Sequence, residues 1–216
     1  MQSTTEYEKL GNYINESGFT FDLEKQPRLE EFEAVIGEKM LHVANCVLNT
    51  KENFPPRKKK NGELAKKQRE YYDPEEEQNM GKKVEYVETN EMWNDNENEW
   101  LYCLAYNGRI VKIGMTITSL KERYASYSCG TARAMKKGSC STTNFIISEC
   151  NFYAKKSGMR VEIYGIPCPL VKKEISRFGI TEMRCFSSVR EQEAMLTKCF
   201  KTAYSHKPVL CVQEGK

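Results

Sequence analysis

The sequence predicts an α/β (α+β) chain whose core is a small three-stranded, mostly antiparallel sheet flanked by helices, with a helical N-terminal extension. Three observations lead there. Residues 101–105 and 109–115 are apolar, β-rich runs separated by Asn107-Gly108, two residues that tolerate the positive φ a tight hairpin needs. Directly after the hairpin, residues 116–119 offer hydroxyls that can cap a helix, and 120–127 continue with helical spacing. The run RVEIYGIP at 160–167 reads as the third strand, stopped by Pro167.

Composition divides the chain into an N-terminal region, 1–98, and a core, 99–216. Tyr7, Leu10 and Ile14 predict a short helix ending near Gly18. After Pro27, the residues Leu29, Phe32, Ile36, Met40, Val43 and Val47 recur at three- and four-residue steps, which predicts one amphipathic helix of about twenty residues. Both helices read as packing elements or a dimerisation surface, and His42 beside the stripe as a structural histidine. From 54 to about 72 the chain becomes basic, with Arg57, Lys58, Lys59, Lys60, Lys66, Lys67 and Arg69 opposed only by Glu63 and Glu70. Such a cluster suits a phosphate-contacting arm, because each neutralised phosphate releases counterions. Tyr71 and Tyr72 follow and could stack or hydrogen-bond to a backbone. The acidic runs 73–77 and 88–99 read as surface linkers.

Beyond the hairpin and its helix, residues 128–143 are rich in glycine and hydroxyls and carry Arg133, Lys136 and Lys137, as suits a loop touching nucleic acid. Residues 144–156 read as a helix. Glu162 alternates with Val161 and Ile163 and is simply the polar residue of its strand. The last helix, 188–204, opens on Ser188 and Glu191, spaced as a capping box. Glu193 falls on the line Val189, Glu193, Leu196, Phe200, an apolar helical stripe. Burying a carboxylate without a partner costs roughly several kcal/mol, so this position asks for a cation or donor.

Several function classes are excluded or disfavoured. In 216 residues, 33 basic and 30 acidic side chains leave a net charge of +3, so a nucleic-acid surface must come from local clustering. Nine cysteines without a CxxC pair point to a reduced, intracellular, cytoplasmic protein and, with two histidines, away from structural zinc. No stretch has the length and apolarity of a membrane span, and no phosphate-binding loop for a nucleotide cofactor is present.

The predicted elements gather Tyr102, Lys112, Arg123 and Tyr127, the last two four apart on one helix face. Their order and spacing resemble the GIY-YIG nuclease superfamily. Trp100-Leu101-Tyr102 stands in place of Gly-Ile-Tyr, Lys112-Ile113-Gly114 in place of Tyr-Ile-Gly, and Arg123 in place of the family's helix arginine. Lys112 and Tyr127 look like the type II restriction branch. The resemblance implies a small α/β sandwich and metal-dependent hydrolysis of phosphodiesters. Glu193, followed by Ala194-Met195-Leu196-Thr197-Lys198, matches the late helix whose glutamate binds one Mg²⁺, or another divalent ion such as Mn²⁺. The family's following proline is delayed to Pro208 and its asparagine is missing, which keeps Glu191 as a second metal candidate. Tyr102 would be the general base, with Lys112 beside it, since a cation within ~4–6 Å favours a phenolate. Arg123 would contact the scissile phosphate, and Tyr127 the same phosphate or the water. The expectation is a sequence-specific double-stranded DNA endonuclease acting as a homodimer. The alternatives are a homing or mobile-element nuclease and a non-catalytic nucleic-acid-binding module.

Overall fold

The computed structural model describes residues 22–54, 58–63, 71 and 82–211. The helix expected around Tyr7, Leu10 and Ile14, the arm cations Arg57, Lys66, Lys67 and Arg69, Tyr72, and the acidic run 73–77 lie outside the described residues. In chain order the elements are α1 (Leu29–Ile36), β1 (Leu41–Leu48), β2 (Val84–Glu88), a 3₁₀ turn (Glu91–Asn94), β3 (Glu99–Tyr106), β4 (Arg109–Thr116), α2 (Leu120–Ser128), α3 (Ala132–Lys136), α4 (Thr142–Lys156), β5 (Val161–Cys168), β6 (Val171–Arg177), β7 (Ile180–Phe186) and α5 (Val189–Tyr204). Strands β1 to β5 form one sheet in the order β2-β1-β5-β3-β4, and β6 pairs with β7 as a separate ribbon. The class is mixed α/β as expected, but the sheet has five strands, not three.

The long helix expected from Leu29 to Val47 is the main correction. It stops at Ile36, where Gly37 takes the left-handed conformation (φ 71°) and its N–H bonds to the Glu33 carbonyl. The buried Glu33 carboxylate then accepts from the Met40 N–H at 2.8 Å and from Lys39 Nζ at 2.6 Å, which fixes the chain reversal into β1. A Cβ on Gly37 would meet nothing within 4 Å, so Gly37→Ala is expected to cost only backbone strain, about 1 kcal/mol, read from the urea midpoint at unchanged slope.

The chain divides into two compact units. Among the described residues the first comprises 45–54, 58–63, 71, 82–87 and 124–161. Its helix α4 is capped by Ser141, whose Oγ accepts from the Asn144 N–H at 3.1 Å. On α4, the buried Glu149 binds Lys83 Nζ at 2.9 Å, and the ammonium lies 4.7 Å from the Phe152 ring. Asn151 Nδ2 donates to Tyr86 Oη at 2.8 Å, and the Tyr86 ring meets Tyr124 edge-on. The segment expected to be a loop, 128–143, contains α3, capped by Thr131 through the Ala134 N–H. Gly130 is tied to its residue type by close approach, because a Cβ there would collide with the Asn144 backbone.

The second unit comprises 22–44, 88–123 and 162–211. Its core gathers Phe32 of α1, Leu101 and Cys103 of β3, Ile113 of β4, and Val189, Leu196 and Phe200 of α5. The rings of Phe32 and Phe200 meet edge-on at 5.2 Å. Asn107 and Gly108 have φ of 48° and 78°, the primed two-residue turn their identities predict. The acidic stretch expected to be a plain surface linker holds the 3₁₀ turn, capped by Asn90, with Trp93 buried at its centre. The capping box expected at α5 does not form: Ser188 Oγ accepts instead from Gln192 Nε2 at 2.9 Å, and Glu191 is exposed. No helix among the described residues is long and apolar enough to cross a membrane.

Candidate active site

The site is built on the β3–β4 hairpin, and its geometry begins with a count. A two-residue turn at Asn107-Gly108 pairs Tyr106 with Arg109 and Ala105 with Ile110. The next pair is Leu104 with Lys112, so Val111 is one residue extra and forms a bulge. The backbone carbonyl of Val111 accepts from the Leu210 N–H at 2.8 Å, which satisfies the group the bulge takes out of the ladder. Beyond the bulge, Tyr102 stands opposite Gly114. Alternation then places the side chains of Tyr102, Leu104 and Lys112 on one face, and Leu101, Cys103 and Ile113 on the other, toward the core.

Tyr102 is 1% exposed and lies across Gly114, where a Cβ would overlap the phenol ring. Glycine in the Lys112-Ile113-Gly114 triplet is therefore required by close approach of a ring. Arg123, on the first turns of α2, donates from Nε to Tyr102 Oη at 3.2 Å. The helix is started by Ser119, whose Oγ accepts from the Glu122 N–H at 3.3 Å. Lys112 is buried to 9% exposure.

Glu193 sits on α5 in the stripe Val189, Leu196, Phe200, all three buried, and is itself half-buried. Burial pushes its carboxyl above the ordinary carboxylate value, while the charges of Lys112, Arg123 and Arg190 pull the other way and do not fully compensate. The sequence-predicted Tyr102, Lys112, Arg123 and Glu193 thus fall in one unit, linked by a hydrogen bond and by charge. Arg190 was not foreseen, although its position one helical turn before Glu193 is a legible signal.

Tyr127 belongs to the first unit, where it is buried with its ring 5.3 Å from Tyr124, edge to face. Of the arm, Lys58, Lys59 and Lys60 are exposed, and Lys59 pairs with Glu63 at 3.0 Å. Arg133, Lys136 and Lys137 are exposed on and just after α3.

The donor set bears on which metal could be held. Among the described residues no three His, Cys, Asp or Glu side chains converge, which is unlike a structural zinc site. A single under-compensated carboxylate fits Mg²⁺, which keeps several waters and takes one or two carboxylates. Three of the buried cysteines are poorly suited to act as nucleophiles. Burial pushes the thiols of Cys46 and Cys103 far up and that of Cys150 up to about 12. The His206 ring nitrogens lie against the Lys25 and Lys207 carbonyls.

Among solved structures the chain is similar to restriction endonuclease HPY188I in complex with product DNA, at 23% identity and a TM-score of 0.48, over 89% of this chain and 90% of that one. It is also similar to a mutant of bacteriophage T4 EndoII, at 14% identity and a TM-score of 0.40, over 81% of this chain and 95% of that one. No family model and no curated protein matches the chain.

Proposed function

We propose that the chain is a metal-dependent endonuclease that hydrolyses phosphodiesters of double-stranded DNA at a defined sequence, as a type II restriction enzyme of the GIY-YIG kind. The observation that carries this reading is the hydrogen bond from Arg123 to a Tyr102 packed against Gly114. It joins the three motif positions of the sequence resemblance at one point, and the charges of Arg123 and of Lys112, two residues before Gly114, act on Glu193.

The roles follow from what each group can do. Tyr102, in its phenolate form, takes the proton of the water that attacks phosphorus and becomes the neutral phenol, its oxygen held in place by the glycine beneath it and the Arg123 N–H. Arg123, oriented by that bond, offers the scissile phosphate the planar donor fork that matches two oxygens. Lys112 adds positive charge on the tyrosine's face of the hairpin, where negative charge grows in the transition state. For Tyr127, the resemblance alone implies a contact to phosphate or to the attacking water. Glu193 would hold Mg²⁺ or Mn²⁺; bound there, the ion stabilises charge on the phosphate and the departing oxygen. A new P–O bond forms from the water oxygen as the P–O bond to the departing sugar oxygen breaks, and that oxygen takes a proton from solvent, leaving a phosphate on one fragment and a hydroxyl on the other. The arm at about 54–72 and Arg133, Lys136 and Lys137 would contact DNA phosphates, and a homodimer would read a palindromic site.

Cleavage of a mixed, unmodified duplex such as a phage genome, with Mg²⁺ or with EDTA, tests the reading. Discrete metal-dependent fragments are expected from the wild type, with at least about a hundredfold loss in Tyr102→Phe, the scale of a missing general base. Glu191→Ala is expected to cut normally, since Glu191 is exposed on α5. Loss of cutting in Glu191→Ala, with none in Glu193→Ala, would move the metal ligand. No cutting by the wild type with any divalent ion would leave a binding module.

A further inference from the structure

The β6–β7 ribbon is the largest feature that the proposed chemistry leaves unused. Both strands are exposed at every residue. A two-stranded ribbon is marginal in water without a covering layer. Its register pairs Val171 with Phe186, Lys173 with Arg184, Ile175 with Glu182 and Arg177 with Ile180, so these residues share one face. The opposite face pairs Lys172 with Cys185, Glu174 with Met183 and Ser176 with Thr181. At the tip, Phe178 has a φ of 54°, a conformation costly for an aromatic residue, and is 88% exposed. The Arg177 guanidinium lies 4.9 Å from the centre of its ring.

The first face alternates apolar and cationic side chains: Val171, Ile175, Ile180 and Phe186 among Lys173, Arg177 and Arg184. Its one carboxylate, Glu182, is bound by Arg184 at 2.6 Å, which leaves an excess of positive charge. Two copies meeting on this face would set cation against cation, whereas a polyanion would neutralise it. Size decides the kind of polyanion surface. Strands about 4.8 Å apart, with side chains, make a ribbon that fits the ~12 Å major groove of duplex DNA and is too wide for the ~6 Å minor groove.

We propose that the β6–β7 ribbon enters the major groove of duplex DNA, with Lys173 and Arg177 meeting phosphates or base edges and Phe178 leading at the tip. The identity of the polyanion rests on the nuclease reading. The ribbon's placement favours joint use, because it is inserted between β5 and α5, which are joined at its base by a contact of Cys168 Sγ with Gln192 Oε1 at 3.3 Å.

Binding of the full chain to a fluorescent mixed-sequence duplex, followed by anisotropy in EDTA over a salt series, tests this. Lys173→Glu combined with Arg177→Glu is expected to weaken binding at least about tenfold and to lower the salt slope by about two. Lys172→Glu, on the opposite face, controls for charge alone and is expected to act severalfold less. Wild-type affinity is also expected to fall on a duplex whose cytosines carry bulky glucosylated 5-substituents, which fill the major groove. All three variant positions are exposed on the ribbon, and unchanged melting of each variant confirms folding. Three results would overturn the proposal: unchanged binding in the double variant, an equal loss per charge in Lys172→Glu, or equal affinity for the filled groove. A halved mass of the double variant by light scattering would assign the face to a second copy instead. Cleavage run in parallel separates the two readings. Cutting by the wild type with ribbon variants binding normally removes only the ribbon. Loss of binding in the variants, with no cutting by the wild type, removes only the nuclease.

Discussion

Glu193→Gln is expected to abolish cleavage, by about a thousandfold or more, and at the same time to raise the melting temperature at neutral pH. The first effect is the loss of the proposed metal ligand together with the charge stabilisation it brings. The second follows from linkage. Burial raises the carboxyl's pKa in the folded chain, so the folded state holds this proton more tightly than the unfolded state does. The group therefore favours folding at pH below its unfolded value, and that contribution is lost as pH rises through the raised value. At pH 7 the ionised side chain is a net cost, which a neutral amide of the same shape removes. The melting difference between variant and wild type should be small near pH 4, widen as pH rises, and level off above the raised value. Mg²⁺ or Mn²⁺ should raise the melting temperature of the wild type and leave the variant where it was, since an ion stabilises the state it binds. A variant less stable than the wild type at pH 7 would show that Lys112, Arg123 and Arg190 outweigh burial, and would sink this account.

Gly114→Ala is the sharpest test of how Tyr102 is held. The new methyl would occupy the space of the phenol ring, so the ring or the strand must move, at a cost of about 1–3 kcal/mol. Displacing the Tyr102 oxygen by about 1 Å is enough to lose about a hundredfold in rate, and it also breaks the Arg123 hydrogen bond. The cause can be isolated by repeating the substitution in a Tyr102→Ala background, where the clash is gone. There Gly114→Ala should cost little, giving a coupling of about 1–3 kcal/mol between the two positions. Equal costs in the two backgrounds, measured from urea midpoints, would mean that something other than the ring holds the glycine in place.

What could be read from the sequence, and what could not, has physical reasons. The β3–β4 hairpin, α4, α5 and the stripe containing Glu193 were legible, because a strong turn dipeptide and sustained periodicity specify them. Strand β1 was hidden: Met40, Val43 and Val47 prolong the three-and-four spacing of Leu29, Phe32 and Ile36, and only Gly37 marks the break. The ribbon left no pattern to find, because both of its faces meet solvent and charges interrupt each strand. The buried Trp93 lay among acidic and amide residues that look like a linker. At the candidate site, residue types and order suggested Tyr102, Lys112, Arg123, Tyr127 and Glu193, of which all but Tyr127 fall in one unit. The packing of the ring on Gly114 and the direction of the Arg123 bond depend on register, which composition does not give.

The extra residue at Val111 acts on the strand as a one-letter insertion acts on a message: everything after it is read in another frame. Were Val111 kept in the ladder and not bulged out of it, the same turn would pair Tyr102 with Ile113 and Cys103 with Lys112. Ile113 would then crowd the tyrosine, and the lysine would face Phe200 and the rest of the core. Such a chain could keep its composition, its turn and the outline of its sheet while losing the arrangement of the proposed site. A motif match in this kind of hairpin therefore carries information only together with a residue count between turn and motif. By the same logic, losing the bulge at unchanged length is expected to part the residues of the proposed site, whereas deleting Val111 would leave the pairs Leu104–Lys112 and Tyr102–Gly114 in place.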